Sequence, residues 1–246
     1  MPLLNDTNMD QHSVVGSHYG FSAKRIEDLG ASEYTLALIV VDASGSVTSF
    51  RTQIESAIRE VVRSCRKSAR ADNMMLRLVI FDDDVTEVHG YKPLSECHED
   101  DYKGCLAIGG LTALYDATYN GVRSAAQYGA ALTQQDFDTN AAVFVITDGE
   151  DNHSKVTRTM VSEAFREAVT SESLESVVSV LIGVNTGAGI DDYLREFKTE
   201  AGFTQYVAIN QATAKELSKL GGFVSRSISS QSQALGTGGP SKSLRF

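Results

Sequence analysis

The chain has 246 residues, of which 42% are hydrophobic and 22% charged, and its formal net charge at pH 7 is −10. This composition is typical of a globular protein with a sizeable core. The negative charge argues against nucleic acid as a partner, because nucleic-acid binders rely on a basic field. The three cysteines, Cys65, Cys97 and Cys105, show no CxxC spacing, which argues against a disulfide framework and against a zinc site.

The N-terminal region carries few hydrophobic residues. Residues 1–33 mix polar residues and glycine without a sustained period, and we interpret them as an extension, partly ordered between residues 19 and 29. The first twenty residues lack the apolar segment of a secretory signal, and no apolar run is long enough for a membrane span. We therefore expect an intracellular protein, either cytoplasmic or carried in a virion if a phage encodes it.

A buried strand and an acidic turn open the central part of the chain. The apolar run 36–41 is rich in β-branched residues and does not alternate, which predicts a parallel strand buried on both faces. It ends in Asp42-Ala43-Ser44-Gly45-Ser46, at the strand end where open α/β sheets bind ligands. Its carboxylate and hydroxyls could converge on a hard cation, although the same residues are ordinary turn and cap residues. A hydrophobic period then predicts a helix over about 48–67.

The next segments predict a hairpin, a loop and a second helix. Two apolar runs, 75–81 and 85–88, flank Asp82-Asp83-Asp84, which we interpret as a solvated hairpin turn rather than a chelating site. The polar stretch 93–103 predicts a connecting loop. Gly109-Gly110-Leu111-Thr112 then leads into a helix, and its glycines allow the backbone to approach a neighbour closely.

The second half alternates strands with helices. The predicted strands are 141–147, 177–183 and 204–209, and the predicted helices cover about 161–168, 191–197 and 212–223. Asp148 follows the first of these strands; Asp151 and His153 could also contact a ligand, although a solvated loop is the preferred interpretation. The element order predicts an α/β fold, with a mostly parallel six-stranded sheet, helices on both faces and one antiparallel strand. The Ser/Gly-rich tail 225–246 predicts a flexible or partner-ordered segment.

Oxygen-bearing side chains are expected to meet at one edge of this sheet, because parallel strands place their carboxyl ends together. They are those of Asp42, Ser44, Ser46, Thr112 and Asp148. Such an all-oxygen set suits Mg²⁺ or Mn²⁺. The pattern DxSxS, a later Thr and an Asp after the fourth strand resembles the von Willebrand factor type A domain over about 34–224. The resemblance implies that these five residues form a metal-ion-dependent adhesion site, in a doubly wound sheet of order 3-2-1-4-5-6 with the third strand antiparallel.

Three functions are compatible with this pattern. The first is a divalent-metal-dependent protein-interaction module, because an ion held by neutral hydroxyls can accept a carboxylate from an Asp or Glu of a protein partner. The second is a structural subunit of a larger assembly, for example a phage particle. The third is a metal-dependent hydrolase, which is disfavoured because Ser44 stands where a haloacid-dehalogenase-type enzyme would need its second Asp. The sequence contains neither a GxxxxGKS nor a GxGxxG loop, one of which a nucleotide enzyme would need. We therefore expect a protein without enzymatic activity.

Overall fold

The computed structural model describes Leu4 and residues 8–246. Eight strands and five α-helices follow one another in this part of the chain. The strands are β1 (Met9–Ser13), β2 (Gly20–Lys24), β3 (Glu33–Asp42), β4 (Met74–Phe81), β5 (Val85–Pro93), β6 (Asp138–Thr147), β7 (Val177–Val184) and β8 (Gln205–Ile209). The helices are α1 (Arg51–Arg66), α2 (Leu114–Thr133), α3 (Arg158–Thr170), α4 (Ala188–Ala201) and α5 (Ala214–Thr237).

The strands form one mixed sheet of order β1-β2-β5-β4-β3-β6-β7-β8. Its last six strands have the predicted order, with β5 antiparallel to β4 and the other neighbours parallel. The predicted number of strands is wrong, because β1 and β2 add to the edge at β5 and bring the sheet to eight. Both additional strands come from the predicted N-terminal extension, of which residues 1–3 and 5–7 lie outside the described part.

Polar side-chain contacts help to attach β2 to β5, and β1 pairs with β2 through the backbone, which explains why hydrophobic periodicity did not predict either strand. Ser22 of β2 donates its backbone N–H to Glu87 of β5 at 3.0 Å. The same carboxylate accepts from Arg77 Nε at 2.6 Å, and the Arg77 side chain is almost fully buried. Only Phe21 and Ala23 of β2 enter the hydrophobic core. A buried ion pair therefore replaces part of the apolar contact expected between neighbouring strands.

Helices cover both faces of the sheet, as predicted. On β3, Ile39 and Val41 pack with α1 and α5, whereas Leu38 and Val40 pack with α2, α3 and α4. Burial of both faces explains the continuous apolar run in the sequence of this strand. Among the described residues, no helix combines the length and the apolar character that a membrane span requires.

The C-terminal region is more ordered than its composition indicates. Helix α5 continues through Ser225 to Thr237, where the sequence predicted a flexible segment from residue 225 onward. Ile228 and Leu235 of this extension are buried, and Ile228 belongs to the core beneath α1 and α5. Some of its serines fit the helix through hydrogen bonds: Ser225 Oγ donates to the Gly222 carbonyl at 3.1 Å, and Ser232 Oγ accepts from Arg70 Nε at 2.9 Å.

We expect the Ile228→Ala substitution to lower the free energy of unfolding by about 2–5 kcal/mol, because it removes a fully buried side chain from the core. Gln233→Ala on the exposed side of the same helix is the control and should change stability by less than about 0.5 kcal/mol. Urea denaturation measures both. Equal stability of the two variants would contradict the packing of the α5 extension against the sheet.

Candidate metal centre

The candidate site is built where the carboxyl ends of β3 and β6 meet. The two strands pair in parallel, with Val41 opposite Ile146, so that Asp42 and Thr147 end the strands side by side. Thr147 Oγ1 donates a hydrogen bond to Asp42 Oδ2 at 2.6 Å. The chain leaves β3 toward α1 on one face of the sheet and leaves β6 toward α3 on the other. Such a switch point is where doubly wound sheets open a crevice for a ligand.

A continuous chain of contacts joins four of the five predicted ligands. Asp42 Oδ1 accepts a hydrogen bond from the Ser44 backbone N–H at 2.8 Å. The hydroxyl oxygens of Ser44 and Ser46 are 3.1 Å apart. Ser46 Oγ in turn donates to Asp148 Oδ1 at 2.8 Å. The structure therefore brings Asp42, Ser44, Ser46 and Asp148 together at the rim.

The fifth predicted ligand, Thr112, reaches the same rim through its backbone. Its N–H donates to Asn152 Oδ1 at 2.8 Å, and its carbonyl accepts from the Asn152 N–H at 3.0 Å. Gly109, three residues earlier, donates its N–H to the Ala43 carbonyl at 2.9 Å. Among the described residues, no hydrogen bond joins the Thr112 hydroxyl to the other four side chains. Its loop is thus held between the two strand ends.

The spacing and chemistry of these oxygens fit a small divalent cation. An octahedral ion with metal–oxygen bonds of about 2.0–2.1 Å has ligand–ligand edges of about 3 Å. The contacts from Ser44 to Ser46 and from Ser46 to Asp148, at 3.1 and 2.8 Å, agree with such edges. No group of three or more His, Cys, Asp or Glu side chains in the described part of the chain could hold a metal. An ion bound here would therefore depend on the hydroxyls.

Burial makes the carboxylates of the site costly to ionise without a cation. It raises the pKa of Asp42 to about 6, against the opposing effect of hydrogen bonds from Ser44 and Thr147. The negative charge of Asp148 raises the pKa of Asp42 further. Burial also raises the pKa of Asp148. A cation between two such groups would favour their charged forms and offset this cost.

Two residues of the site were missed by sequence reasoning, namely Thr147, which binds Asp42, and Asn152, which binds the Thr112 loop. An Asn in the loop after a strand is a common turn residue, so its type alone carried no signal. Thr147 was assigned only to the apolar strand.

The structure also places the weaker candidates from the sequence, namely Asp151, His153 and the Asp82–Asp84 turn. Asp151 does not lie in a purely solvated loop, because its Oδ1 accepts from the Tyr115 N–H at 3.2 Å and from Ser154 Oγ at 2.5 Å. The side chain of His153 is exposed. Asp82 Oδ1 accepts from the Asp84 N–H at 3.0 Å, which agrees with the predicted turn.

Removing the Asp42 charge should stabilise the metal-free protein at neutral pH. Its folded-state pKa of about 6 lies above the value of about 3.9 in an unfolded chain, so the folded protein holds the proton more tightly. The stability that this tighter proton binding adds to the folded state is fully present below about pH 4. It is lost as the pH rises through about 6, and the total loss is about 3 kcal/mol. We therefore expect Asp42→Asn to gain stability relative to wild type by up to this amount between about pH 4 and pH 7.

Urea denaturation in EDTA measures this difference. Asp136→Asn is the control, because Asp136 is exposed and has a φ of 61°, which asparagine tolerates. A stability difference between Asp42→Asn and wild type that does not change with pH would contradict the raised pKa.

The sequence matches no protein-family model and no curated protein. Among solved structures, the chain resembles proximal thread matrix protein 1 from the mussel byssus with a zinc-occupied MIDAS motif, with a TM-score of 0.53 and 21% identity over 80% of this chain and 46% of that one. It also resembles the pilus adhesin SpaC from Lactobacillus rhamnosus GG, with a TM-score of 0.60 and 11% identity over 93% of this chain and 36% of that one. A von Willebrand factor type A protein from Catenulispora acidiphila gives a TM-score of 0.52 and 15% identity over 78% and 43% of the respective chains.

The chain spans less than half the length of each of these three structures. At such identities the likeness concerns the fold rather than the activity. The protein therefore has a fold of the von Willebrand factor type A kind, with two additional strands at one edge of its sheet.

Proposed function

We propose that this protein is a divalent-metal-dependent protein-interaction module, and that a carboxylate from an Asp or Glu of its protein partner completes the metal coordination. The metal would be Mg²⁺ or Mn²⁺. Its ligands would be Asp42, Ser44, Ser46, Thr112 and Asp148. The observation that carries the proposal is the run of contacts at the switch point of the sheet, from the Asp42 carboxylate through the Ser44 N–H to the Ser44, Ser46 and Asp148 oxygens.

The side chains of the site have separate tasks in this proposal. Asp42 fixes the turn of the DxSxS segment by accepting the Ser44 N–H, and Asp148 orients the Ser46 hydroxyl. Three of the five ligands would be neutral hydroxyls, so the two carboxylates would at most balance the charge of the ion. Its sixth coordination position could then accept a carboxylate from the partner. Ser46 is exposed and Asp148 is half-buried, which leaves this side of the site open to a partner.

The comparisons support an interaction role more than a hydrolytic one. The similar structures carry the names of an adhesin and of a thread matrix protein, and the latter has a zinc-occupied MIDAS motif. The alternative hydrolase would use Asp42 as its nucleophile, yet this residue is only 1% exposed and both of its oxygens accept hydrogen bonds. A role as a subunit of a larger assembly is compatible with the proposal, since assembly is one use of such an interaction.

Metal should stabilise the wild-type protein and not its ligand variants. Binding to the folded state alone adds about 2.7 kcal/mol at a hundredfold excess of metal over Kd, so millimolar MgCl₂ or MnCl₂ should raise the Tm. We expect no such rise for Ser46→Ala or Asp148→Ala. Ser49→Ala, an exposed serine of the same turn region, is the matched control and should respond like wild type. An equal rise of Tm in all four proteins would exclude these residues as ligands.

A carboxylate should bind to the metal-loaded protein in the absence of any partner. We expect the Mn²⁺-loaded protein to increase the paramagnetic relaxation rate of acetate methyl protons, because an acetate oxygen would enter the coordination of the ion. Acetamide, of similar shape but uncharged, should show much less enhancement. Asp148→Ala should show no enhancement beyond that of free Mn²⁺. Equal enhancement for acetate and acetamide would argue against a carboxylate-accepting site.

A further inference from the structure

An uncharged segment lies beside the candidate metal site. Residues 106–111, here called the apolar rim segment, contain only leucine, alanine, isoleucine and glycine. Leu106 is buried and Ile108 half-buried, whereas Ala107, Gly110 and Leu111 are exposed. Leu111 directly precedes the proposed ligand Thr112 and is 49% exposed. An apolar surface is therefore presented to solvent next to the position that we assign to the metal.

The apolar rim segment is held firmly in this position. The Gly109 N–H donates to the Ala43 carbonyl, and the Ala113 N–H donates to the Asp82 carbonyl at 2.7 Å. Gly110 has a φ of +64°, and a Cβ atom at this position would lie 2.0 Å from Asp83 Oδ1. The loop thus packs against the end of β3 and against the β4–β5 turn. Its exposed leucine is presented by a fixed backbone, so a partner would lose little loop entropy by contacting it.

The surroundings of the segment are negatively charged. Asp83 of the β4–β5 turn is exposed beside it, and Glu150 is exposed in the loop that carries Asp148. The whole chain has a net charge of −10. A partner that brings an additional carboxylate to this rim would be repelled unless it also carries positive charge. A second copy of this chain would bring the same excess of negative charge and is therefore disfavoured as the occupant.

We propose that this surface recognises a basic protein segment in which an Asp or Glu stands next to an apolar side chain and close to Lys or Arg. The proposal rests on the metal-dependent function proposed above. The acidic side chain would reach the metal, the apolar side chain would pack on Leu111, and the basic side chain would pair with Asp83. The apolar and the basic contacts use features of the rim that the metal ligands alone do not explain.

The position of Leu111 distinguishes it from the other exposed hydrophobic residues. Single exposed hydrophobic residues are common and need no function by themselves. The other large ones among the described residues are Val15, Val169 and Phe246. Val169 lies at the C-terminal end of α3 and therefore at the opposite end of the parallel strands from the site. It therefore serves as a matched control for Leu111.

The test uses the full chain and a display library of random peptides, selected in MgCl₂ and in parallel in EDTA. We expect the peptides enriched only in MgCl₂ to contain an Asp or Glu, an apolar residue next to it and an excess of Lys and Arg. Enriched peptides with an acidic residue but without that basic and apolar excess would overturn the inference and leave the metal-dependent function standing. The proposed function itself, and the inference with it, would be overturned if no enriched peptide needed MgCl₂ for binding and lost its binding in Asp148→Ala.

Rim variants assign each part of the preference. The affinity of a labelled enriched peptide, followed by fluorescence anisotropy, should fall about tenfold in Leu111→Ser and remain unchanged in Val169→Ser. The variant Asp83→Asn should lose affinity and part of its salt dependence, whereas Asp136→Asn, at the opposite end of the strands, should lose neither. Wild-type affinity in both rim variants would contradict the inference.

Discussion

The parallel pairing of β3 with β6 is the constraint on which the candidate site depends. It brings two strand ends that are separated by about a hundred residues to one edge of the sheet, and the Asp42–Thr147 hydrogen bond joins them there. Because the chain leaves these strands toward opposite faces, no helix in the described part of the chain covers the gap between them. The turn that carries Ser44 and Ser46 can then reach Asp148 across this gap. A change in strand register would separate these groups.

The same pairing explains the unusual electrostatics of the site. Asp42 ends a strand that is buried on both faces, so its carboxylate is withdrawn from water together with the strand. Hydrogen bonds from a backbone N–H and a hydroxyl compensate part of this cost, yet the pKa of Asp42 remains raised to about 6. A buried acid of this kind weakens the metal-free fold at neutral pH. We regard this weakness as the cost of a site that is preorganised for a cation.

Much of this arrangement could be predicted from the sequence, because it follows from strong local patterns. The uninterrupted apolar runs before Asp42 and Asp148 predicted two buried parallel strands, and the polar residues after them predicted one rim. The strands β1 and β2 could not be predicted, because β2 contributes only Phe21 and Ala23 to the core and is otherwise joined through Glu87, and β1 is joined through its backbone pairing with β2. The α5 extension was missed because its many serines resemble a disordered tail in composition, whereas Ile228 and Leu235 between them are buried in the structure.

The apolar rim segment shows where sequence and structure each contribute. Its composition was visible in the sequence, where the glycines indicated close backbone approach. Only the structure shows that Asp82 and Asp83 are what the backbone approaches, and that Leu111 remains exposed there. With a metal bound as proposed, the candidate ligands and this segment would form a surface with a charged centre, an apolar flank and an acidic border. Such a combination of features provides specificity beyond the binding of any carboxylate.

The most direct measurement of the central claim is the anomalous scattering of Mn²⁺ in a crystal grown with MnCl₂. We predict one strong anomalous difference peak within bonding distance of the Ser44 and Ser46 hydroxyl oxygens, between the loops of Thr112 and Asp148. The peak should vanish in crystals of Ser46→Ala. A map without a peak at this rim, or with its main peak at the Asp82–Asp84 turn, would contradict the account.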